Sequence, residues 1–147
     1  MARMTRREFY DFIRRHKYAV QSSTAPAGAP QAAVVGIVVT EALEIVFDTL
    51  DTTRKCDNLR RDPRIAFVIG WDEEQTVQYE GTVDEPTGDD LARLKPIYFA
   101  RFPDGRERER WPGITYFRAR PRWLRYSDFR GSESRIVERT LGDLTDA

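Results

Sequence analysis

The chain has 147 residues, of which 40% are hydrophobic and 33% charged, and its formal net charge is zero. That length fits one domain, residues 1–147, with a core of its own, and the composition is that of a globular chain rather than a disordered one. No apolar run reaches the length that crosses a bilayer, and the single cysteine, Cys56, excludes an internal disulfide and a cysteine-based metal cluster.

The first residues hold no apolar stretch followed by a small-residue cleavage site, so a secretory leader is not expected and the expected compartment is the cytoplasm. Thr5-Arg6-Arg7-Glu8 has the spacing of a capping box, and Phe9, Phe12 and Ile13 then share one face, predicting a helix that ends near His16. Tyr18 to Gln21 begins a strand, broken by the turn residues Pro26, Gly28 and Pro30. Gln31 to Thr40, QAAVVGIVVT, is almost continuously apolar and β-branched, which predicts a strand covered on both faces. Gly36 within it marks a bend or a close approach by a ligand.

Glu44 to Thr49 is the next strand, near enough to pair as a hairpin. Thr53 to Asp62 reads as a short helix, capped by Thr52 or Thr53 and stopped before Pro63. Ile65 to Trp71 is again strand-forming. Thr76 to Val83 alternates, with Val77, Tyr79, Gly81 and Val83 on one face and Thr76, Gln78, Glu80 and Thr82 on the other. Asp89 to Phe102 reads as a helix interrupted by Pro96, and the polar FPDGRERERWPG that follows as a surface loop. Tyr116 to Ala119 and Trp123 to Ser127 read as two closing strands around Pro121, and the tail after Gly131 as a helical turn or a frayed end.

About seven short strand segments, mostly consecutive, with three helices around them predict a mainly β protein with peripheral helices. No βαβ order recurs, so a doubly wound parallel sheet is not expected, and the pattern points to a closed or split antiparallel barrel.

Few constellations carry chemistry. Between Ile65 and Ala92 there are carboxylates but no Lys or Arg, while arginines gather near the N-terminus, in 54–64 and in 101–125. No domain-wide basic face for nucleic acid is expected from that distribution. His16 is the only histidine, so a Ser-His-Asp or Cys-His arrangement would have to use a residue at the end of a polar helix, and no zinc-ligand spacing is present. The glycines form neither a dinucleotide fingerprint nor a phosphate loop.

One segment stands out. In Phe47-Asp-Thr-Leu-Asp-Thr-Thr-Arg54-Lys55 a strand ends at Thr49, hydroxyl-bearing residues follow, and two cations sit on the first turn of a helix. A helix start has free N–H groups and partial positive charge, so with Thr hydroxyls, a guanidinium and an ammonium this is a candidate phosphate-monoester site. An ordinary capped helix with its charges facing water reads equally well at this point.

The run VFDTLDTTRKCDNLRRDPRIAFVIGW, followed by QTVQYEGTVDEP, resembles the signature stretch of the pyridoxamine 5′-phosphate oxidase-like, FMN-binding split-barrel superfamily. The likeness covers Pro30 to Pro86 and rests on the ordered combination of strand, Thr-Arg-Lys, helix with Asn-Leu, Asp-Pro-Arg and strand. It implies a six-stranded antiparallel split β-barrel that holds FMN at a homodimer interface. Arg54 and Lys55 would bind the FMN phosphate, helped by Thr49 and Thr53. Val34, Val35, Gly36 and Ile37 would lie along the isoalloxazine and ribityl chain. Thr76 and Gln78 match the region that reaches FMN from the partner subunit, and Tyr126 or Ser127 matches a position that covers the flavin.

The departures concern the substrate. Vitamin oxidases of the family carry a lysine at the end of the first FMN-contacting strand, where this chain has Val38-Val39-Thr40, and a C-terminal Arg-x-His, where it has Ser127-Asp-Phe-Arg-Gly131. The resemblance therefore implies an FMN-dependent oxidoreductase acting on a small molecule that the sequence does not identify, rather than a vitamin oxidase. A deazaflavin-dependent reductase, a non-catalytic flavin-binding or flavin-sensing protein and a barrel without cofactor are the alternatives on the same fold. No acid or base residue is singled out.

Overall fold

In the computed structural model, which describes residues 3–144, the capping box closes as its spacing predicts. The Glu8 N–H donates to the Thr5 hydroxyl (3.1 Å) and the Thr5 N–H to the Glu8 carboxylate (2.8 Å), starting helix α1, Arg6–Ile13. The helix buries Phe9, Phe12 and Ile13 but ends earlier than predicted, since Arg15 and His16 turn the chain through tighter bonds to the Phe12 and Ile13 carbonyls.

Eight strands follow: β1 Tyr18–Thr24, β2 Pro30–Gly36, β3 Val38–Val39, β4 Ile45–Leu50, β5 Arg64–Ile69, β6 Gln75–Asp84, β7 Ile114–Asp128 and β8 Arg135–Thr140. All pair antiparallel in the order β2-β1-β5-β6-β7-β4-β3, with β8 on β7. The fifteen residues of β7 curl the sheet, because its first part pairs with β4 and its second with β8, while β6 pairs with it from Arg118 to Asp128. The result is an open, curled half-barrel. The expected mainly β split-barrel architecture is present, with eight strands instead of six.

Five expectations change. The stretch 31–40 is not one doubly covered strand. β2 is an edge strand with alternating burial, Val34 faces outward at 62% exposure, and continuous burial is confined to Ile37 to Thr40. The two closing strands are one, because a bulge absorbs Pro121: Glu80 faces Trp123 and Gly81 faces Pro121, leaving Arg122 as the extra residue. Pro96 does not interrupt helix α3, Gly88–Arg101, which runs through it. The segment after it is not a loop but carries the short helix α4, Gly105–Arg108, and the tail forms β8 before a last helical turn, Leu141–Asp143.

Two hydrophobic clusters fill the fold. The larger lies inside the half-barrel around Phe47, Phe67, Tyr79 and Phe117, and the smaller packs α3 on β3 and β4 through Val38, Val46, Leu94, Tyr98 and Phe102. α3 is also held electrostatically. Arg118, 3% exposed, reaches Asp84 (2.7 Å), Glu44 (3.1 Å) and Asp90 (3.5 Å), and Arg93 of α3 reaches Glu44 (3.2 Å). No helix among the described residues is long and apolar enough to cross a membrane.

Candidate functional site

Helix α2, Arg54–Arg61, starts directly off the end of β4, and its cap is built from the threonines of the sequence pattern. The Thr53 hydroxyl donates to the Leu50 carbonyl (2.9 Å) and accepts from the Cys56 N–H (3.3 Å). Its one proton is thereby committed, so Thr49, whose hydroxyl lies 3.0 Å away, is the donor between the two. Of the predicted cap residues Thr53 is the one used. The N–H groups of the first turn point out of the helix start beside Arg54 and Lys55.

The two cations are treated differently. Arg54 is exposed. Lys55 is half-buried and faces a cavity of about 290 Å³ between β2, β4 and the α3–α4 segment. Burial pushes its ammonium below the ordinary lysine range, with no carboxylate among the causes to offset it. A half-buried cation in that position is suited to an anion.

Around Lys55 the cavity has an apolar side formed by Tyr18, Val34, Val35, Gly36 and Phe102, and an ionic side formed by Asp48, Asp104 and Arg108. Asp48 accepts from the Tyr98 hydroxyl (2.9 Å) and the Arg108 Nε (3.0 Å), and Arg108 also holds Asp104. Burial, together with the neighbouring Asp48, pushes the Tyr98 phenol well above its ordinary range. Burial works against the Arg108 cation, but its hydrogen bonds to Asp48 and Asp104 more than compensate. α4 is therefore tied to β4 and forms a fixed wall. Gly36 is required here, since an added Cβ would lie 2.6 Å from the Phe102 ring.

The structure gathers Val34, Val35, Gly36 and Lys55 at one cavity, with Thr49 and Thr53 behind it at the helix cap. Arg54 stands at the helix start outside the lining, and Ile37 turns away and lines a different cavity. Thr76 and Gln78 lie three strands from β2; Gln78 faces outward beside Val20 and Val68, and the Thr76 hydroxyl bonds the Ile69 carbonyl (3.4 Å). Within one chain these two do not join the cavity. Tyr126 and Ser127 are buried away from it, with the Tyr126 hydroxyl on Gln75 (2.9 Å).

Residues 48, 98, 102, 104 and 108 were not singled out by the sequence. One signal was available, a carboxylate, Asp48, that directly follows the apolar Ile45-Val46-Phe47 in a strand just before the Thr-Arg-Lys motif. Among the described residues no group of three His, Cys, Asp or Glu side chains is placed to hold a metal ion.

Comparison with known proteins gives the family and the fold. A family model described as pyridoxamine 5′-phosphate oxidase matches residues 5–128. No curated protein matches by sequence. Among solved structures, a haem-binding protein from Mycobacterium smegmatis superposes with a TM-score of 0.81 at 18% identity, over 97% of this chain and 61% of that one. A pyridoxamine 5′-phosphate oxidase-related, FMN-binding protein from Nostoc punctiforme gives 0.64 at 13% identity, over 82% of this chain and 78% of that one. A protein described as a pyridoxamine 5′-phosphate oxidase from Listeria innocua gives 0.66 at 14% identity, over 86% and 98%. At these identities the likeness is one of fold, and the chain spans about three-fifths of the length of the M. smegmatis protein.

Proposed function

Because the chain belongs to the pyridoxamine 5′-phosphate oxidase family, whose model matches residues 5–128, we propose that it is an FMN-binding flavoprotein that works as a homodimer and catalyses a flavin-dependent oxidation or reduction of a small molecule. The observation that carries the reading is Lys55, a half-buried cation with no carboxylate partner among the described residues, at a helix start and on an open cavity. The donors fit a phosphate monoester. The Lys55 ammonium stands on the cavity beside the first N–H groups of α2, the exposed Arg54 flanks it at the helix start, and the Thr49–Thr53 pair fixes the cap.

The cavity of about 290 Å³ lies at the small end of ligand pockets, so one chain encloses only part of a flavin mononucleotide. The remainder is supplied by a second copy. The outer face of the sheet carries a cross-strand row, Val34–Val20–Val68, that ends at Gln78, with Ala32, Ser22 and Ala66 in the next row. Val34 and Val68 are 62% and 41% exposed on this face. Pairing two such faces buries the row and brings Thr76 and Gln78 toward the partner's cavity.

FMN, when bound, supplies the redox chemistry. The chain's own part is to hold the phosphate with Lys55 and Arg54, to line the cavity with Val34 to Gly36, and to keep its wall rigid through the Asp48–Arg108 pair. The test is the absorption spectrum of the purified protein before and after FMN addition, with light scattering on the same sample. Flavin bands on a dimer are expected, and a Val34→Asp/Val68→Asp protein is expected to be monomeric. A deazaflavin spectrum, a haem Soret band, or no uptake of FMN would overturn the reading.

A further inference from the structure

A second cavity, of about 280 Å³, lies on the other side of α3, between that helix, the end of α1 and β3. Its floor is Ile37, Val38 and Val39, all less than 10% exposed, at the seam between the two hydrophobic clusters. Ile97 and Ala100 of α3 add an apolar wall. Its polar lining is different in kind. Arg14 and His16 come from the end of α1 and Arg101 from the last turn of α3, and among the described residues no carboxylate lines the space.

These cations are positioned. The Arg101 Nη1 donates to the Arg14 carbonyl (3.1 Å), which fixes its guanidinium at the end of α1, and the Arg14 guanidinium lies over the Tyr10 ring at 5.6 Å. The His16 ring packs on the Phe12 ring, with centroids 4.8 Å apart, and against Gly70. Asp72 and Glu73 approach His16 only from an adjoining cavity. Elsewhere, Arg93 of α3, Arg108 of α4 and Arg118 of β7 are each matched by a carboxylate. Here two guanidiniums stand over an apolar floor without one among the described residues.

We propose that this cavity is a binding site for a small organic anion, with its carboxylate on Arg14 and Arg101 and its apolar body on Ile37 to Val39. Guanidiniums match a carboxylate in geometry as well as charge, and the floor buries hydrocarbon that water would otherwise hydrate. The site is independent of the flavin reading. The two cavities have no lining residue in common: α3 turns Tyr98 and Phe102 to the Lys55 side and Ile97 and Arg101 to this one, and the β2–β3 stretch gives Val34 to Gly36 to the first and Ile37 to Val39 to the second.

The test is calorimetric titration of 2-naphthoate, with neutral 2-naphthamide as its counterpart, into wild type, Arg14→Ala/Arg101→Ala, Ala100→Trp and Lys55→Ala. Naphthoate is expected to bind wild type about tenfold or more tighter than the amide, and the double arginine variant to lose about that factor. Ala100 is exposed, so its Trp variant keeps the fold, checked by circular dichroism, while filling the cavity and abolishing binding. Lys55→Ala and saturating FMN are expected to change nothing. No binding at millimolar naphthoate, equal affinity for the amide, or indifference to the arginine variant would overturn the proposal. Loss of binding on Lys55→Ala, or competition by FMN, would overturn it by placing the anion in the other cavity.

Discussion

Replacing Arg54 and Lys55 one at a time separates a phosphate site from a solvated helix start, because the structure gives the two cations unequal surroundings. Lys55 is half-buried on the cavity, so its contact with a phosphate is a charge-assisted hydrogen bond worth about 1.5–3 kcal/mol. Arg54 is exposed, and an exposed ion pair is worth only about 0.2–1 kcal/mol. At about 1.4 kcal/mol per factor of ten, Lys55→Ala weakens FMN roughly 10- to 150-fold and Arg54→Ala roughly 1.4- to 5-fold. Riboflavin, which lacks the phosphate, is affected by neither. Added salt narrows the difference between Arg54→Ala and wild type, since exposed charges are the ones it screens. Quenching of flavin fluorescence on titration reads all of these affinities. In the absence of flavin both variants unfold within about 0.5 kcal/mol of wild type, since neither side chain is held by a carboxylate. Equal losses for the two variants, or a riboflavin loss as large as that for FMN, would refute the reasoning.

The buried network around Arg118 sets the acid limit of the fold. Burial raises the Glu44 carboxyl, but Arg93, Thr40 and Arg118 outweigh it and bring it below its ordinary 4.5; Arg118, with lesser help from Arg120, brings Asp84 below 3.8. Depressed carboxylates contribute their full stability above those ordinary values and lose it as pH falls through the lower folded ones. Urea midpoints are therefore expected to hold from neutral pH to about 5 and to fall below it. Arg118→Met is expected to cost about 3 kcal/mol at neutral pH and to flatten the acid limb, and a loss under about 1 kcal/mol would count against the network. Gly81→Ala places a Cβ 2.0 Å from the Arg120 carbonyl oxygen at the bulge and is expected to cost about 3 kcal/mol or more in urea unfolding. Gly142→Ala, with nothing within 4 Å of its Cβ, serves as the neutral control.

The parts of the fold that the sequence announces are those whose signal is local. A capping box needs four residues, and strand β6 needs only its own alternation, so both stand where the pattern puts them. What it does not announce depends on distant partners. The bulge that joins the two halves of β7 exists because Gly81, forty residues upstream, has no side chain to meet Arg120. β8 is polar along most of its length and becomes a strand because β7 offers a free edge. The apolar stretch 31–40 misleads for a related reason. Periodicity reports that residues are apolar, not which surface covers them, and the outward Val34 row is uncovered in one chain.

The candidate site divides the same way. Thr49, Thr53, Arg54 and Lys55 lie within seven residues, and their chemistry is readable because strand end, cap and cations are consecutive. The opposite wall is not, because Tyr98, Asp104 and Arg108 acquire meaning only once α3 has crossed over β4 and met Asp48. That wall also explains why α3 tolerates Pro96 in its interior. The helix is pinned near its start by Arg93 on Glu44 and near its end by Tyr98 and, through α4, Arg108 on Asp48, so the carbonyl of Ala92 that loses its helical partner is held in place by its neighbours. A helix fixed at both ends cannot swing away as a lid. Tyr18 and Val34 both line the Lys55 cavity and are exposed, so it is open to solvent at β2, where the outer face of the sheet begins. Cofactor entry and pairing of the outer faces then compete for the same edge, so in the homodimer reading flavin binds before the faces close or is enclosed by them as they do.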